Sequence, residues 1–546
     1  MSYRFRKDVT IGALAAEEDA AFLRDCFIDT GLLDAILNKD DHRRILLGRT
    51  GAGKSALFMR LGEKAHTIVI SPDELALDHL SNSELLKQLH DCGISLTPLY
   101  KLLWKHVFVV EVLRDRHQQL RESDNAHGFW RTFLSSFSAN PTDQTRKAAL
   151  EYLSEFGDKF WQTTEYRVKE VTERFEQKIN AELGAKLGGI SVKAGGNEGV
   201  SQEQKSAIEQ VGRQFVEAIQ IKKLSDVVKW LATDIEGHPP TFLILDGLDG
   251  EWAGTELRYQ LIRALIETSR EFMAVKNLKI LIALREDLLD AALNSISEPG
   301  FQREKYAQLC YHLRWTRDEL ADLVETRVNK LVRETYTTAK VKLDDIIEPV
   351  GGQPGIQYLI DRTLLRPRDM IDFFNHCIRQ TTDNPKITRR VILEAEPAYS
   401  VGRLNALGDE WRAVEPLVVD VAEILRGRKA SIRVNELTDE AITETCQSLY
   451  IRHWNSDSPI SNAAKLHCEQ PLEMSADRVR CKFIDVLYRV GIIGVKPTPS
   501  EKVHWSSDGM VTIDALNLDR NCAIKVHKIF WRALNIFGTK DDADHA

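Results

Sequence analysis

The stretch over residues 44–55, Arg-Ile-Leu-Leu-Gly-Arg-Thr-Gly-Ala-Gly-Lys-Ser, constrains this chain more than any other. Gly48, Gly53, Lys54 and Ser55 satisfy the pattern G-x-x-x-x-G-K-[ST]; an apolar strand over 45–47 precedes it and a helical run over 56–61 follows it. Each residue type has a chemical reason. Glycines let the loop curl so that backbone N–H groups converge on an anion, and the N-terminus of the next helix adds the positive end of its dipole. The Lys54 ammonium is placed for the β- and γ-phosphates of a triphosphate, and the Ser55 hydroxyl for Mg²⁺. The expected nucleotide-binding segment is therefore Gly48, Arg49, Thr50, Gly51, Ala52, Gly53, Lys54, Ser55 and Ala56.

Further apolar runs extend this start into a parallel sheet. Residues 67–70 form a second short strand, closed by Ser71-Pro72-Asp73-Glu74, so a strand-helix-strand unit is in place. Thr241-Phe242-Leu243-Ile244-Leu245 is an unbroken apolar strand ending in Asp246. Ligands of parallel sheets bind beyond the carboxyl ends of the strands, which aims Asp246 at the edge that carries the loop and makes it the expected Mg²⁺-side carboxylate. Asp249, and after it Glu251, is a candidate for orienting an attacking water; the alternative for Asp249 is an ordinary turn residue. The strand over 278–284 ends in Arg285, read as a reporter of the γ-phosphate, with pairing to Glu286 or Asp287 at the next helix start as the alternative.

Between about 75 and 235 the pattern turns helical, with helices expected over 83–89, 99–116, 148–181 and 201–231. The aromatics Trp104, Phe108, Tyr152, Phe156, Phe160, Tyr166 and Phe175 fall at core-like spacing and are read as packing. Residues 179–194 alternate instead: a turn at Gly188-Gly189 pairs Leu187 with Ile190, Ala185 with Val192 and Leu183 with Ala194, a hairpin whose apolar face needs a partner. Residues 303–400 read as mostly helical, with Thr316 and Glu319 as a capping box and Pro367 in a first helical turn flanked by Arg366 and Arg368. The tail reads as a helix over 411–425, a helix from Ser475, a strand over 491–496, an extended stretch over 502–506 and a last element over 524–534, the order of a winged helix. Arg478, Lys482 and Arg489 share an outer helical face there and are candidate DNA contacts. Residues 401–546 hold 19 Lys and Arg against 21 Asp and Glu, so that domain has no general basic footprint.

Composition excludes other classes. The net charge is −8, from 73 Lys and Arg against 81 Asp and Glu, which is no polycation drawn to nucleic acid or anionic lipid as a whole. The eight cysteines are scattered without a C-x-x-C pair, so neither a disulfide framework nor a zinc ribbon is expected, and His376-Cys377 and His467-Cys468 are read as packing. No apolar run is long enough to span a membrane and no signal-type core follows the basic N-terminus, which makes the cytoplasm the expected compartment.

On these residues the chain resembles the bacterial P-loop ATPases near the AAA+ and STAND groups, especially the origin-recognition-like and KAP-like branches. The resemblance is carried by Gly48 to Ser55, by Leu245-Asp246-Gly247-Leu248-Asp249, by Arg285 at a strand end, by Arg366-Pro367-Arg368-Asp369, where Arg368 matches the second sensor arginine, and by the terminal winged helix. It implies an α/β P-loop NTPase core over 1–295 with the helical insertion inside it, a helical lid domain over 296–400 and a winged-helix-like domain over 401–546. It implies ATP and Mg²⁺ as cofactors, Lys54, Asp246, Asp249, Arg285 and Arg368 as the catalytic set, and Ser55 with Asp246 as the metal ligands. Gly247 stands where hydrolysing relatives carry a second acid, which points to slow hydrolysis. The expected activity is an ATP-driven switch that forms a homo-oligomer and gates a separate effector protein, with anti-phage defence as the setting the resemblance suggests. Two alternatives stay open: a nucleotide-regulated DNA-binding protein acting through the tail, and an ATP-bound scaffold that assembles through the hairpin at 179–194.

Overall fold

Five parallel strands carry the first half of the expected fold. In the computed structural model they are β1 (Ile45–Leu47), β2 (His66–Ile70), β3 (Thr241–Leu245), β4 (Leu278–Leu284) and β5 (Cys310–His312), in the spatial order β2-β3-β4-β1-β5. The structure describes residues 4–6, 9–75, 83–91, 94–116, 169, 172–181, 206, 209–210, 228–229, 231–232, 239–250, 255–294, 303–335, 340–381, 384–456, 458–508 and 518–538. β1, β3 and β4 are buried along their whole length, which is why they read as continuous apolar runs rather than alternating ones. The fold is thus α/β, with a parallel sheet, many helices and a helical C-terminal part.

The chain forms two compact units, one of Gly31–Arg49 with Leu57–Leu313, the other of Met1–Thr30, Thr50–Ala56 and Arg314–Ala546. α1 (Lys54–Lys64) follows β1 and belongs to the sheet unit from Leu57 on, and α2 (Thr97–Arg116), α3 (Thr255–Glu271) and α4 (Glu286–Asn294) of that unit follow in chain order. α2 belongs to the expected insertion and packs along α3: the Trp104 indole N–H donates to the Leu261 carbonyl at 2.9 Å, and Phe108 meets Phe272 edge-on at 5.2 Å. These aromatics are core, as their spacing predicted. Residues 179–181 are helical, not the start of a strand, because Phe175 and Ile179 lie one turn apart on a single buried face. The remainder of the expected hairpin, 182–194, and most of the helices expected over 148–181 and 201–231 lie outside the described residues.

The second unit is helical with a small antiparallel sheet. Its longer helices are α5 (Arg317–Thr335), α6 (Pro367–Gln380), α7 (Arg389–Trp411), α8 (Asp439–Arg452), α9 (Pro459–Glu469) and α10 (Ala476–Val490), and its sheet has the order β6-β8-β7, from Ser431–Arg433, Ala523–Val526 and Ile493–Lys496. One hydrophobic core runs from Phe5 to Ile536, so the segments expected as lid and tail share it. The capping box forms as expected, with the Glu319 carboxylate accepting from Thr316 N–H at 2.7 Å and the Thr316 hydroxyl accepting from Glu319 N–H at 3.2 Å. The helix expected over 411–425 does not: α7 ends at Trp411, and within the rest of that span only Val418–Ala422 is α-helical. Pro416 explains the break, since it lacks an N–H and drives Glu415 out of the helical region. The stretch over 502–506 contributes only a bridge between His504 and Val495, and the ladder partner of β7 is β8. Among the described residues no helix is long and apolar enough to cross a membrane.

Candidate nucleotide-binding loop

The sheet register fixes where the acidic strand end lies. Leu245 is level with Ile282, and Ile282 with Ile45, so Asp246 follows β3 at the level of Leu46, where β1 has one residue left to run. With one strand between them, the two chain paths are about 10 Å apart at that level. Asp246 and the start of the loop at Gly48 are therefore at the same carboxyl edge of the sheet, and Gly48 N–H donates back to the Leu284 carbonyl at 3.2 Å.

Beyond Arg49 the loop has a polarity of its own. The carbonyl of Thr50 accepts from Arg366 Nη1 at 2.7 Å, that of Gly51 from the backbone N–H of Arg368 at 3.4 Å, and that of Ala52 from the Trp315 indole at 2.8 Å. In a planar trans peptide the N–H points opposite to its carbonyl. The N–H groups of Gly51, Ala52 and Gly53 therefore point away from these three donors, and they donate to no acceptor among the described residues. Gly51 at φ +78 and Gly53 at φ +101 supply the left-handed turns that such a concavity of N–H groups requires. A Cβ on Gly51 would lie 2.8 Å from the Cβ of Arg368, so only glycine admits the close approach to α6. Lys54 opens α1 and is 8% exposed, and Ser55 follows it, half-buried.

The acids and arginines of the expected catalytic set differ in their surroundings. Asp246 is half-buried and its Oδ1 accepts from Gly247 N–H at 2.9 Å. Gly247 has φ +83, the left-handed region, and begins a turn closed by Gly250 N–H on the Gly247 carbonyl at 3.1 Å. A second acid directly after Asp246 would be strained there, which is a backbone reason for its absence. Asp249 is exposed in that turn, and the turn is held by Arg258, 1% exposed, whose Nη1 donates to the Gly250 carbonyl at 2.7 Å. Arg285 is buried and forms a bidentate pair with Asp287, both bonds at 2.9 Å, the alternative that its sequence position left open. Arg368 is half-buried, with its Nε donating to the Leu14 carbonyl at 3.3 Å, while its neighbour Arg366 is the buried one that reaches the loop.

Three residues in this arrangement carried no assigned role in the sequence: Trp315, Arg258 and Arg366. The signal for Arg258 is its helical phase with Leu261 and Ile262, a charge on a buried face; Trp315 and Arg366 gave no such local sign. Among the described residues no group of three or more His, Cys, Asp or Glu side chains could hold a metal ion. His467 packs as expected, its ring nitrogens engaged by the Met474 carbonyl at 2.7 Å and the Thr443 hydroxyl at 3.1 Å.

The candidate DNA-contacting face is only partly open. Arg478 and Lys482 on α10 are exposed, whereas Arg489 is paired with the buried Glu415 at 2.7 Å and with Asp485 at 3.4 Å. Burial pushes the Glu415 carboxyl above its ordinary range, against the pull of Arg489.

Residues 318–408, which contain α6 and most of α5 and α7, match the model of the FunZ-associated C-terminal helical domain. Over 97% of its length the chain is 21% identical to a protein of Escherichia coli (strain K12) named provisionally as a transposon gamma-delta 80.3 kDa protein, and the match covers 67% of that protein. The chain is similar to both, and the matched helical segment is the one whose Arg366 and Arg368 contact the loop at Thr50 and Gly51.

Proposed function

We propose that this chain is an Mg²⁺-dependent ATP-binding switch with slow hydrolysis, built on a P-loop NTPase core of the AAA+ and STAND kind with a helical lid and a winged-helix-like tail. The observation that carries the reading is the loop polarity: three consecutive carbonyls are engaged by the protein, and the N–H groups of Gly51, Ala52 and Gly53 are left for an anion. Bound Mg–ATP would supply a γ-phosphoryl group transferable to water. The residues' tasks follow from their chemistry: Lys54 neutralises phosphate charge, Ser55 and Asp246 hold the cation, and Arg49, Thr50 and Ala56 complete the loop's path. Gly247 and the exposed Asp249 support slow turnover, because no acid stands directly beside Asp246 to orient water. The switch is read as acting on a partner protein and on further copies of the chain, with phage defence as the setting.

The test is calorimetric titration of ATP in Mg²⁺ and in EDTA. Lys54→Ala should abolish binding, and Asp246→Asn should retain weak binding that no longer responds to Mg²⁺. Micromolar affinity surviving in a folded Lys54→Ala protein would sink the assignment.

A second reading, nucleotide-regulated DNA binding, is favoured by the exposed Arg478 and Lys482 on α10 and by the transposon in the relative's name. It predicts duplex binding that weakens with salt. No binding at low salt removes it.

A further inference from the structure

Arg366 is 6% exposed, and its Nη1 serves two acceptors at once, the Thr50 carbonyl at 2.7 Å and Glu410 Oε2 at 2.9 Å. Its Nε lies 3.6 Å from Asp369 Oδ2. That carboxylate also accepts from Leu364 N–H at 3.0 Å and lies 3.4 Å from Arg403. Burial alone would make the guanidinium easier to deprotonate, but the carboxylates of Glu410 and Asp369 more than offset it and hold the charge. A cation on a carbonyl polarises the whole peptide group, so the Gly51 N–H on the same peptide becomes a stronger donor. Glu410 sits at the C-terminal end of α7, and four residues past that helix Glu415 holds Arg489 of α10.

We propose that Arg366 is a positioning residue for nucleotide binding, holding the Thr50 carbonyl so that the Gly51 N–H faces the phosphate, and that its pair with Glu410 ties loop occupancy to the end of α7. The inference rests on the ATP-binding reading. An anion that draws on the Gly51 N–H acts on the same peptide that Arg366 holds, so occupancy and the Arg366–Glu410 pair favour each other, and the coupling is reciprocal.

The test uses the full chain, with Mg–ATP titrated by calorimetry and amide exchange followed on peptides covering 400–411. Arg366→Met should weaken ATP by about 10-fold to 100-fold, the range for a hydrogen bond from a charged group. Arg366→Lys should recover part of the loss, and Glu410→Gln should cost about threefold to tenfold. ATP should slow exchange over 400–411 in the wild type and leave it unchanged in Arg366→Met. A folded Arg366→Met protein that binds ATP within twofold of wild type overturns the inference. If that variant fails to fold, Glu410→Gln decides: unchanged affinity and an unchanged exchange response overturn it as well. A wild-type chain that does not bind ATP fails the nucleotide reading itself and removes this inference with it, a result distinct from wild-type binding that is indifferent to Arg366.

Discussion

Gly51→Ala separates conformational from steric cost at the loop, because other glycines of the same unit supply the control. Gly51 and Gly427 have similar φ angles, +78 and +69, but a Cβ at Gly427 meets nothing within 4 Å, whereas at Gly51 it meets Arg368 Cβ at 2.8 Å and Cδ at 3.0 Å. A left-handed L-residue costs about 1–2 kcal/mol, which is all that Gly427→Ala should lose. Gly51→Ala adds an overpacking cost of about 1–3 kcal/mol, since the nearest contact is a Cβ fixed to a helix rather than a flexible tip. The expected difference between the two variants is therefore about 1–3 kcal/mol. Gly53→Ala, also in the loop and also with open space around it, should behave like Gly427→Ala in stability. Because the chain has two units, a single global transition is not assured, so the assay is amide exchange in rising urea on peptides from 314–380, which isolates the helical unit. A Gly51→Ala protein no less stable than Gly427→Ala would refute the claim that the loop is seated on α6.

Three further outcomes are expected. Lys279 is buried in β4, where its ammonium donates to the carbonyls of Ile36 at 2.9 Å and Asn38 at 2.7 Å; burial, with Arg44 nearby, lowers it from 10.5 to about 8. Between those values the unfolded chain binds more protons, so stability should rise as pH climbs from about 8 toward 10, and Lys279→Met should flatten that rise in urea titrations across the range. Arg489→Ala strands the buried Glu415 and should cost roughly 1–3 kcal/mol in denaturation, whereas Arg478→Ala and Lys482→Ala should be near neutral in stability and each lower the salt slope of any duplex binding by about one. Asp287→Asn weakens the bidentate hold on Arg285 and should raise the preference for ATP over ADP by about threefold to tenfold if Arg285 reads the γ-phosphate; an unchanged ratio in paired titrations would leave Arg285 a helix-start residue.

What was legible in the sequence was what short-range chemistry encodes. The strands at 45–47, 241–245 and 278–284 are buried on both faces and announce themselves as apolar runs, and the capping box at Thr316 and Glu319 spans a single turn. Trp104 and Phe108 sit one turn apart and face the core together. The strand order was not legible, because an apolar run carries no record of its neighbours. Nor was Arg366 on Thr50, a contact across 316 residues made by a side chain that looks like any flanking arginine. The break after Trp411 was legible and missed: Pro416 stood in the expected helix. At 179–181 a two-residue alternation was read where the buried Phe175 and Ile179 keep helical phase, an ambiguity that short apolar stretches carry by nature.

The candidate catalytic edge and the loop's protein side differ in how they are tied, and the difference bears on what kind of machine the proposed reading describes. At the edge, Gly247 takes a dihedral that disfavours a second acid, Asp249 is exposed in a turn, and Arg285 is committed to Asp287. Rapid hydrolysis would need an oriented water and an available arginine, and both call for rearrangement from this arrangement. On the protein side, Thr50, Gly51 and Ala52 are each held by a donor, and Arg366 is charge-balanced by Glu410 and Asp369. Interactions satisfied within the protein favour binding over turnover, because they reduce the ordering that a ligand must impose. Under the proposed reading, a loop organised in this way suits a nucleotide held for long intervals, with its state passed on through Arg366 and Glu410 rather than spent in fast cycles.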